Sequence, residues 1–560
     1  MPNIITRRSF LSNSGRAAVG LGLASLMNIP PFLKRALAEG SIGLNGKKLI
    51  FIFLRGGNDG VNNIIPVLDP SYKGTTPGLP NRNFLAMPLD PAIPDYSVAT
   101  GQADVVPIEY PYAVRLGNGF ATLNPALRDF AGILNAGDAA IIQRAGYRSL
   151  SRSHFDSEQY WEKGTDGTTN NQSVSSGLWY RTVVESGWNS NHALSGVSIQ
   201  SNLPASLRGE QPMTNLSSLS RYNVLGVYSA SGSTNTDRVK MLNAIDEANL
   251  QPFPAKDNRE LVHTLGIQFR DTLDIFQDPT FQANVWQETH GADPNVMYPN
   301  GTYLFPGSTG QDIQIPGVTP TTYRVGSNGY GFMNNIRTCA QLLNNTDAII
   351  SGTEIGGWDT HTAQVTYDAA NLVSLPHLGG QANLLRRVAA AYYGLWRYFS
   401  LYGKGGPNEV PGAKVGWNDV VVVTMSEFGR TSLENDSQGT DHGESSAMYV
   451  AGGAVHGGVY GCDLTTNPKL VTATNPTGLN WQVGTGAKNG SLYSADTNVG
   501  YLRRTIDYRS VLGEIIRDHL GATQNQLNRI IPAYANEAAE HLLNGGLVSG
   551  TPILGELGVI

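Results

Sequence analysis

Three short runs of apolar residues in this chain are each followed directly by polar residues of the types that bind metals or transfer protons. The runs cover residues 49–54, 348–350 and 420–424. A short, nearly continuous apolar run beside glycine or polar residues is typical of a strand covered on both faces, as in a parallel sheet. Residues 139–142 show the same pattern. The chain is therefore predicted to have an α/β fold with a central, mostly parallel sheet flanked by helices.

Between the second and third runs, apolar residues recur at helical spacing. They fall at intervals of three or four residues from Leu384 to Phe399, and Arg386, Arg387 and Arg397 lie on other faces. We expect one long helix here, with its apolar face packed on the sheet.

The composition of the chain changes from about residue 203 to residue 330. Gly, Pro, Ser, Thr and Asn are dense in this stretch, and helical patterns are limited to residues 238–249 and 259–276. We interpret residues 203–330 as an insertion or cap within one elaborated domain of residues 47–555. A length of 560 residues also suits several average domains, but large α/β enzymes often use it for one core with long insertions.

The first 38 residues have the features of an export signal. Arg7 and Arg8 precede a modestly apolar stretch at residues 17–27, and residues 36–38 form an Ala-Leu-Ala cleavage site. This pattern predicts a twin-arginine signal peptide at residues 1–38; the alternative is an ordinary amphipathic first helix. We therefore expect a periplasmic or extracellular protein whose partner during export is the twin-arginine translocase.

The composition also excludes some classes of partner. Charged residues make up 15% of the sequence and the formal net charge is −6, so no basic surface for a nucleic acid is expected. After residue 38 no run approaches the roughly 18 apolar residues that span a bilayer, so no transmembrane anchor is expected once the signal is removed. The two cysteines, Cys339 and Cys462, allow at most one disulfide, and we expect both to be unpaired core residues.

Polar residues that follow different strands of a parallel sheet can meet, because the carboxyl ends of the strands lie at one edge. After the second run, Asp359 and His361 are separated by one residue, so both side chains can point the same way from an extended segment. A carboxylate and an imidazole form a common ligand pair for Zn²⁺ or Mn²⁺. The alternative is an Asx turn at Asp359, with His361 as an ordinary polar residue.

Four further residues near the strand ends are candidate metal ligands. Glu427 follows the third run, and its alternative role is an ion pair with Arg430. Asp441 and His442 lie in a glycine-flanked loop from which both can turn towards one ion. Asp59 follows the first run, where the Asn-Asp-Gly sequence is equally typical of a tight turn. A mixed set of Asp, Glu and His favours Zn²⁺ or Mn²⁺, whereas Ca²⁺ or Mg²⁺ would need more oxygen ligands.

A candidate nucleophile precedes a predicted helix at residues 155–163. Ser153 would place a bound phosphate or sulfate near backbone amides and the positive end of the helix dipole. Its alternative role is to cap the helix, with Asp156 as its partner in a capping box. His154 is a candidate proton donor or further metal ligand, and Arg430 is a candidate clamp for an oxyanion. Other arginines with that candidate role, or with a role in structural ion pairs, are Arg55, Arg148 and Arg152.

Five segments together resemble those of a known family. In chain order they match the bacterial family catalogued as domain of unknown function 1501, over nearly the whole chain after residue 38. That family in turn resembles a divergent branch of the alkaline-phosphatase-like superfamily of phosphatases and sulfatases. The segments are residues 53–60 (FLRGGNDG), 153–156 (SHFD), 357–361 (GWDTH), 426–431 (SEFGRT) and 440–443 (TDHG).

This resemblance implies a fold, a cofactor and a reaction. It implies a mixed or parallel central sheet, a site with one or two divalent metals, and a Ser or Thr nucleophile at the start of a helix. The matching metal ligands in this chain would be Asp59, Asp359, His361 and His442. The chain departs from the superfamily at Glu427, because a strand there typically ends in Asp-His.

The residues and the resemblance together predict an exported, metal-dependent hydrolase of phosphate or sulfate esters. Ser153 or a water would attack the ester, and arginines would neutralise its oxygens. The substrate would be a small-molecule or polysaccharide ester. The alternative is an exported, non-catalytic binding or cell-surface protein that keeps the fold and one structural metal, with the long polar insertion as its recognition surface.

Overall fold

The computed structural model describes most of the chain after residue 41. The predicted signal peptide, the helical pattern at residues 238–249, most of residues 259–276 and Cys462 lie outside the described residues. The described residues are 42–66, 72, 82–93, 107–116, 122–168, 174–187, 194–210, 213–217, 273, 275–276, 278–291, 293–316, 321–368, 373–461, 501–502, 504–535, 541–548 and 551–560.

Most of the strands are short, and the longer ones belong to one central sheet. The strands, in chain order, are β1 (Lys48–Leu54), β2 (Ile64–Ile65), β3 (Val114–Arg115), β4 (Thr122–Leu123), β5 (Ala139–Gly146), β6 (Gly196–Ile199), β7 (Thr214–Leu216), β8 (Gln314–Ile315), β9 (Thr322–Tyr323), β10 (Ile350–Ile355), β11 (Thr366–Asp368), β12 (Val373–Leu375), β13 (Val420–Ser426), β14 (Arg430–Glu434), β15 (Thr440–His442), β16 (Ser446–Ala451), β17 (Gly458–Tyr460), β18 (Ile506–Asp507), β19 (Gly546–Val548) and β20 (Thr551–Ile553). The α-helices are α1 (Arg128–Ala136), α2 (His154–Lys163), α3 (Leu178–Ser186), α4 (Pro279–Gln282), α5 (Tyr330–Asn345), α6 (Gly380–Leu401), α7 (Tyr508–Glu514) and α8 (Gln524–Ile530).

The central sheet has nine strands among the described residues. Its order is β17-β5-β16-β13-β1-β10-β6-β7, and β18 also pairs with β5. Every pairing is parallel except those of β16, which runs antiparallel to β13 and β5. The prediction of a central, mostly parallel sheet is therefore confirmed. Leu54 of β1 pairs with Ile355 of β10 and Ser426 of β13, so the carboxyl ends of these three strands meet at one edge.

The central sheet is covered on both faces. The even-numbered apolar residues of β1 lie in one hydrophobic core and the odd-numbered ones in the other. Side chains of α1, α5 and α6 fill the first core, whereas those of α3, α7 and α8 fill the second. Each fully buried Val, Leu, Ile or Phe contributes roughly 1.5–3 kcal/mol relative to an exposed one. Burial on both faces therefore explains why these strands are almost continuously apolar.

The long helix α6 contains the residues that the helical spacing predicted, and it packs on the sheet as expected. The Tyr392 hydroxyl donates to the Tyr449 carbonyl of β16 at 2.8 Å. Arg397 is buried in an ion pair with Glu288 at 2.8 Å. Because Glu288 belongs to residues 203–330, part of the predicted insertion packs against the core. Among the described residues no helix, α6 included, is long and apolar enough to cross a membrane.

Cys339 lies on α5 and is buried with a free thiol, as the sequence predicted for this residue. Burial raises the pKa of the Cys339 thiol to about 12. The thiolate, which is the reactive form, is therefore scarce at neutral pH.

Candidate metal centre

The loops after β1, β10 and β13 are in close contact at the carboxyl edge of the sheet. Gly56 and Gly57 follow β1 with left-handed backbone conformations, at φ 116° and 83°. A Cβ atom on Gly56 would lie 2.4 Å from the backbone nitrogen of Asp359, and one on Gly57 would lie 2.7 Å from the Phe428 ring. Glycine is needed at both positions because the first loop touches the other two.

Asp359, which follows β10, lies at the centre of a cluster of histidines. Its Oδ1 atom is 3.1 Å from Nε2 of His361 and 3.2 Å from Nε2 of His442. Its Oδ2 atom is 3.5 Å from Nε2 of His154, the first residue of α2. Ligand atoms of His154, Asp359 and His442 all lie within 4.8 Å of one another, close enough to share one ion. The fold thus brings together four candidate residues from three separate parts of the chain.

The other ring nitrogen of each histidine faces a hydrogen-bond acceptor. Asp359 is a further acceptor on the Nε2 side of each ring. The tautomer that suits a bound cation carries its proton on Nδ1, which donates to the outer acceptor. The Nε2 atoms then present lone pairs towards Asp359. The acceptors are the Glu427 carboxylate for His154, the Asp441 carboxylate for His361 at 3.0 Å, and the Arg152 carbonyl for His442 at 2.8 Å.

This geometry fits a bound cation. Burial, aided by the charges of Arg430 and His154, lowers the pKa of His442, which favours the neutral ring that a metal binds. The Nε2 atoms of His361 and His442 lie 3.0 Å apart. Two ligand atoms at 2.0–2.1 Å from a tetrahedral Zn²⁺ ion are separated by roughly 3.3 Å, so the observed spacing is close to that of a ligand pair.

Arg430 is fully buried next to Asp359. One of its nitrogens donates to Asp359 Oδ1 at 2.5 Å. Partial burial favours the protonated form of the Asp359 carboxyl, but the hydrogen bond and charge of Arg430 outweigh it and lower the Asp359 pKa to about 2. The guanidinium is otherwise bonded to the loops that surround the site. Its carbonyl acceptors are those of Gly56, Gly57, Trp358 and Thr440.

Glu427 and Asp441 contact the Nδ1 side of the histidine rings, whereas Asp359 lies on the Nε2 side. The buried Glu427 carboxylate accepts the Gly56 amide at 2.6 Å through Oε1, and contacts His154 through Oε2. Burial raises the pKa of Glu427 to about 7. Asp441 is exposed and contacts His361. Carboxylates in this position typically orient metal-binding histidines and fix their tautomers.

Asp59 bonds to residues outside this cluster. It is completely buried and forms a two-pronged ion pair with Arg82, at 2.6 and 3.0 Å. The Gln364 amide also donates to Asp59 Oδ2 at 2.6 Å. The carboxylate therefore has its charge and its hydrogen bonds satisfied by these two residues.

Ser153 occupies the N-cap position of α2 and is exposed, but its side chain makes no capping hydrogen bond among the described residues. Asp156 instead accepts from the Ser151 hydroxyl at 3.0 Å. The capping box that the sequence suggested is therefore not seen, and the Ser153 hydroxyl is placed directly before His154.

Two of the arginines considered as oxyanion clamps have other contacts. Arg55 pairs with Glu158, Glu162 and Glu354, at 3.0, 2.7 and 2.5 Å. The Arg152 guanidinium lies over the Tyr501 ring, 4.4 Å from its centroid. Because the Arg152 carbonyl also contacts His442, this exposed residue lies at the border of the cluster.

Two groups that bond to candidate site residues were not predicted from the sequence. They are Arg82, which pairs with Asp59, and the Arg152 carbonyl, which contacts His442. Neither carries a sequence signal, because one is a loop arginine and the other is a backbone group.

Comparison with known proteins gives one match. The model of the family described as protein of unknown function (DUF1501) matches residues 413–476. This match confirms the resemblance to that family over a stretch that contains Glu427, Arg430, Asp441 and His442, whereas segments 53–60, 153–156 and 357–361 lie outside the matched residues. No curated protein and no solved structure matches the chain significantly.

Proposed function

We propose that this protein is an exported hydrolase of phosphate or sulfate esters that depends on one divalent transition-metal ion. The proposed ligands are Nε2 of His154, His361 and His442, and the carboxylate of Asp359. The observation that supports this most is the convergence of three Nε2 atoms on one carboxylate, while every Nδ1 atom faces an acceptor. Export is supported by Arg7 and Arg8 in the predicted signal.

The ligand chemistry favours Zn²⁺ or Mn²⁺. Three imidazoles and one carboxylate suit these ions, whereas Ca²⁺ and Mg²⁺ prefer all-oxygen sites. Glu427 and Asp441 would act as the outer carboxylates that orient His154 and His361. The buried Arg430 would hold Asp359 ionised and in position.

The ester substrate is supported by the surroundings of His154. An ion held here would supply Lewis-acid chemistry, by polarising a substrate oxygen and making a nucleophile more acidic. The ten-residue helix α2 begins at His154, and its first amides and positive dipole end favour an anionic group. Ser153 offers an exposed hydroxyl at that point, and the exposed Arg152 offers a positive charge.

The test is hydrolysis of p-nitrophenyl phosphate and p-nitrophenyl sulfate by Zn²⁺- or Mn²⁺-loaded protein. We expect turnover by the wild type and a loss of at least 100-fold in kcat/KM in His442→Ala. His456→Ala is the matched control, because His456 is exposed and its ring bonds only the Gly558 carbonyl among the described residues. Metal binding without turnover of either ester would overturn the hydrolase and favour the non-catalytic binding protein.

A further inference from the structure

A cleft of about 320 Å³ opens beside the candidate metal centre. Arg55 follows β1, Glu354 lies on β10 and Gln200 follows β6, so the cleft occupies the same carboxyl edge of the sheet. Helix α2 joins the two sites, because His154 belongs to the metal cluster and Phe155 lines the cleft. The two sites are therefore adjacent along α2.

The charge of the cleft disfavours an anionic ligand. Three carboxylates, from Glu158, Glu162 and Glu354, face two guanidiniums, from Arg55 and Arg208. Arg55 contacts one oxygen of each carboxylate. The second oxygen of Glu158 and that of Glu354 have no donor among the described residues, so they can accept hydrogen bonds from ligand hydroxyls.

An aromatic ring, that of Phe155, lies at the border of this polar cleft. The Phe155 side chain is 80% exposed, although it lies in a helix with a buried face. An aromatic ring next to a few convergent polar groups is the usual composition of a small-molecule site. The face of a phenyl ring can pack against the apolar face of a sugar ring.

A buried polar atom in the cleft wall also lacks a partner. Gln200 is only 6% exposed, and its Oε1 atom has no hydrogen-bond partner among the described residues. Its Nε2 atom donates to the Asn202 carbonyl at 3.0 Å and to the Glu354 carboxylate at 3.1 Å. Both partners are acceptors, which fixes the amide orientation and leaves Oε1 to accept. Oε1 itself is solvent-inaccessible, so Gln200 contributes a fixed polar wall to the cleft.

We propose that this cleft is a carbohydrate subsite, which binds a neutral, hydroxyl-rich sugar while the ester group of the same substrate lies at the metal centre. The sugar ring packs on Phe155, and its hydroxyls donate to the free oxygens of Glu158 and Glu354. The link to an ester rests on the proposed function, whereas binding of the sugar does not.

The test is binding of the purified protein to an array of neutral, sulfated and phosphorylated oligosaccharides, followed by calorimetry with the best neutral binder. We expect Phe155→Ala to weaken that binding at least tenfold and Phe155→Trp to retain it. Leu547→Ala, which removes an exposed apolar side chain elsewhere, should bind as the wild type does. Because Phe155 is exposed, its variants should keep the wild-type melting temperature.

His442→Ala separates this proposal from the metal-dependent function. Neutral sugar binding that survives in His442→Ala supports the cleft whether or not the protein hydrolyses esters. The proposal is overturned if no neutral oligosaccharide binds, if Phe155→Ala binds as tightly as the wild type, or if choline, a cationic probe, displaces the sugar at equal concentration.

Discussion

The Nε2 atoms of His361 and His442 lie 3.0 Å apart although they belong to residues 81 positions apart in the chain. A proton on one Nε2 atom makes this contact a hydrogen bond, whereas protons on both Nδ1 atoms, each of which faces an acceptor, leave two lone pairs in contact. A shared cation converts this repulsion into attraction. The 3.0 Å spacing is therefore compatible with the proposed metal site.

Replacing Glu427 by Gln should weaken metal binding through the tautomer of His154. The Gln carbonyl would take the Gly56 amide, and its NH₂ group would face Nδ1 of His154. His154 would then carry its proton on Nε2, where the metal binds. We expect the Kd for Zn²⁺ to rise about 10–100-fold, as for other outer carboxylates. Competition with a chromophoric chelator measures this Kd, and Glu409→Gln, at an exposed residue, is the control. A Kd for Glu427→Gln equal to that of the wild type would contradict the assigned role.

Removing Arg430 should destabilise the fold as well as the site. Its guanidinium bonds Asp359 and four backbone carbonyls, none of which a leucine can satisfy. We expect Arg430→Leu to lower the free energy of unfolding by about 3–5 kcal/mol, measured in urea. Arg430→Lys should restore only part of the lost free energy of unfolding, because an ammonium group lacks the planar, multi-donor geometry of a guanidinium. The exposed Arg152→Ala should change stability by no more than about 0.5 kcal/mol, and a similarly small effect of Arg430→Leu would refute this role.

A side chain at Gly56 should separate the loops of the metal centre. A Cβ atom there would lie 2.4 Å from Asp359 N, on a residue with φ 116°. Gly412 is the control, because it also has a positive φ (77°) but no atom within 4 Å of its Cβ position. Gly412→Ala should cost about 1–2 kcal/mol for its backbone alone. We expect Gly56→Ala to cost more than this and to lose the metal, by urea unfolding and metal analysis; equal losses of stability with metal retained would argue against close loop contact.

Lys48 should make stability depend on pH above neutrality. Burial, helped by the charge of Lys414, lowers the Lys48 pKa from 10.5 to about 7. Between pH 7 and 10.5 the unfolded chain binds more protons at this residue than the folded chain, so the free energy of unfolding rises with pH. Across this pH range the free energy of unfolding should rise by roughly 3–5 kcal/mol. Urea unfolding of the wild type and Lys48→Met across this range tests it, and an equal pH slope in both proteins would contradict it.

The sheet and its covering helix could be predicted from sequence because their signals are local. Strands buried on both faces are apolar throughout, as in β1 and β13, and α6 repeats its apolar residues at helical spacing. The contact between Asp359 and His442 also follows from the sequence, since both residues lie in segments that come after strands of the central sheet, β10 and β13. The sequence suggested a loop at His442, but this residue lies on β15, which pairs with β14.

Other contacts at the site depend on packing between distant parts of the chain. His154 was a candidate for several roles, and its place beside Asp359 is set by how α2 packs against the sheet edge. Asp59 follows β1 just as the sequence expected, but Arg82 from a later loop reaches it and pairs with it. No local pattern reports such a partner, because long side chains on loops can point in many directions.

The most direct test is the metal content of purified protein, by inductively coupled plasma mass spectrometry, for the wild type, His442→Ala, Asp359→Asn and the His456→Ala control. The metal site predicts about one equivalent of zinc or manganese in the wild type and in His456→Ala. It also predicts that this metal is lost from His442→Ala and Asp359→Asn while both variants remain folded by circular dichroism. A wild type without metal after dialysis against Zn²⁺ and Mn²⁺, or equal metal in all four proteins, would contradict it.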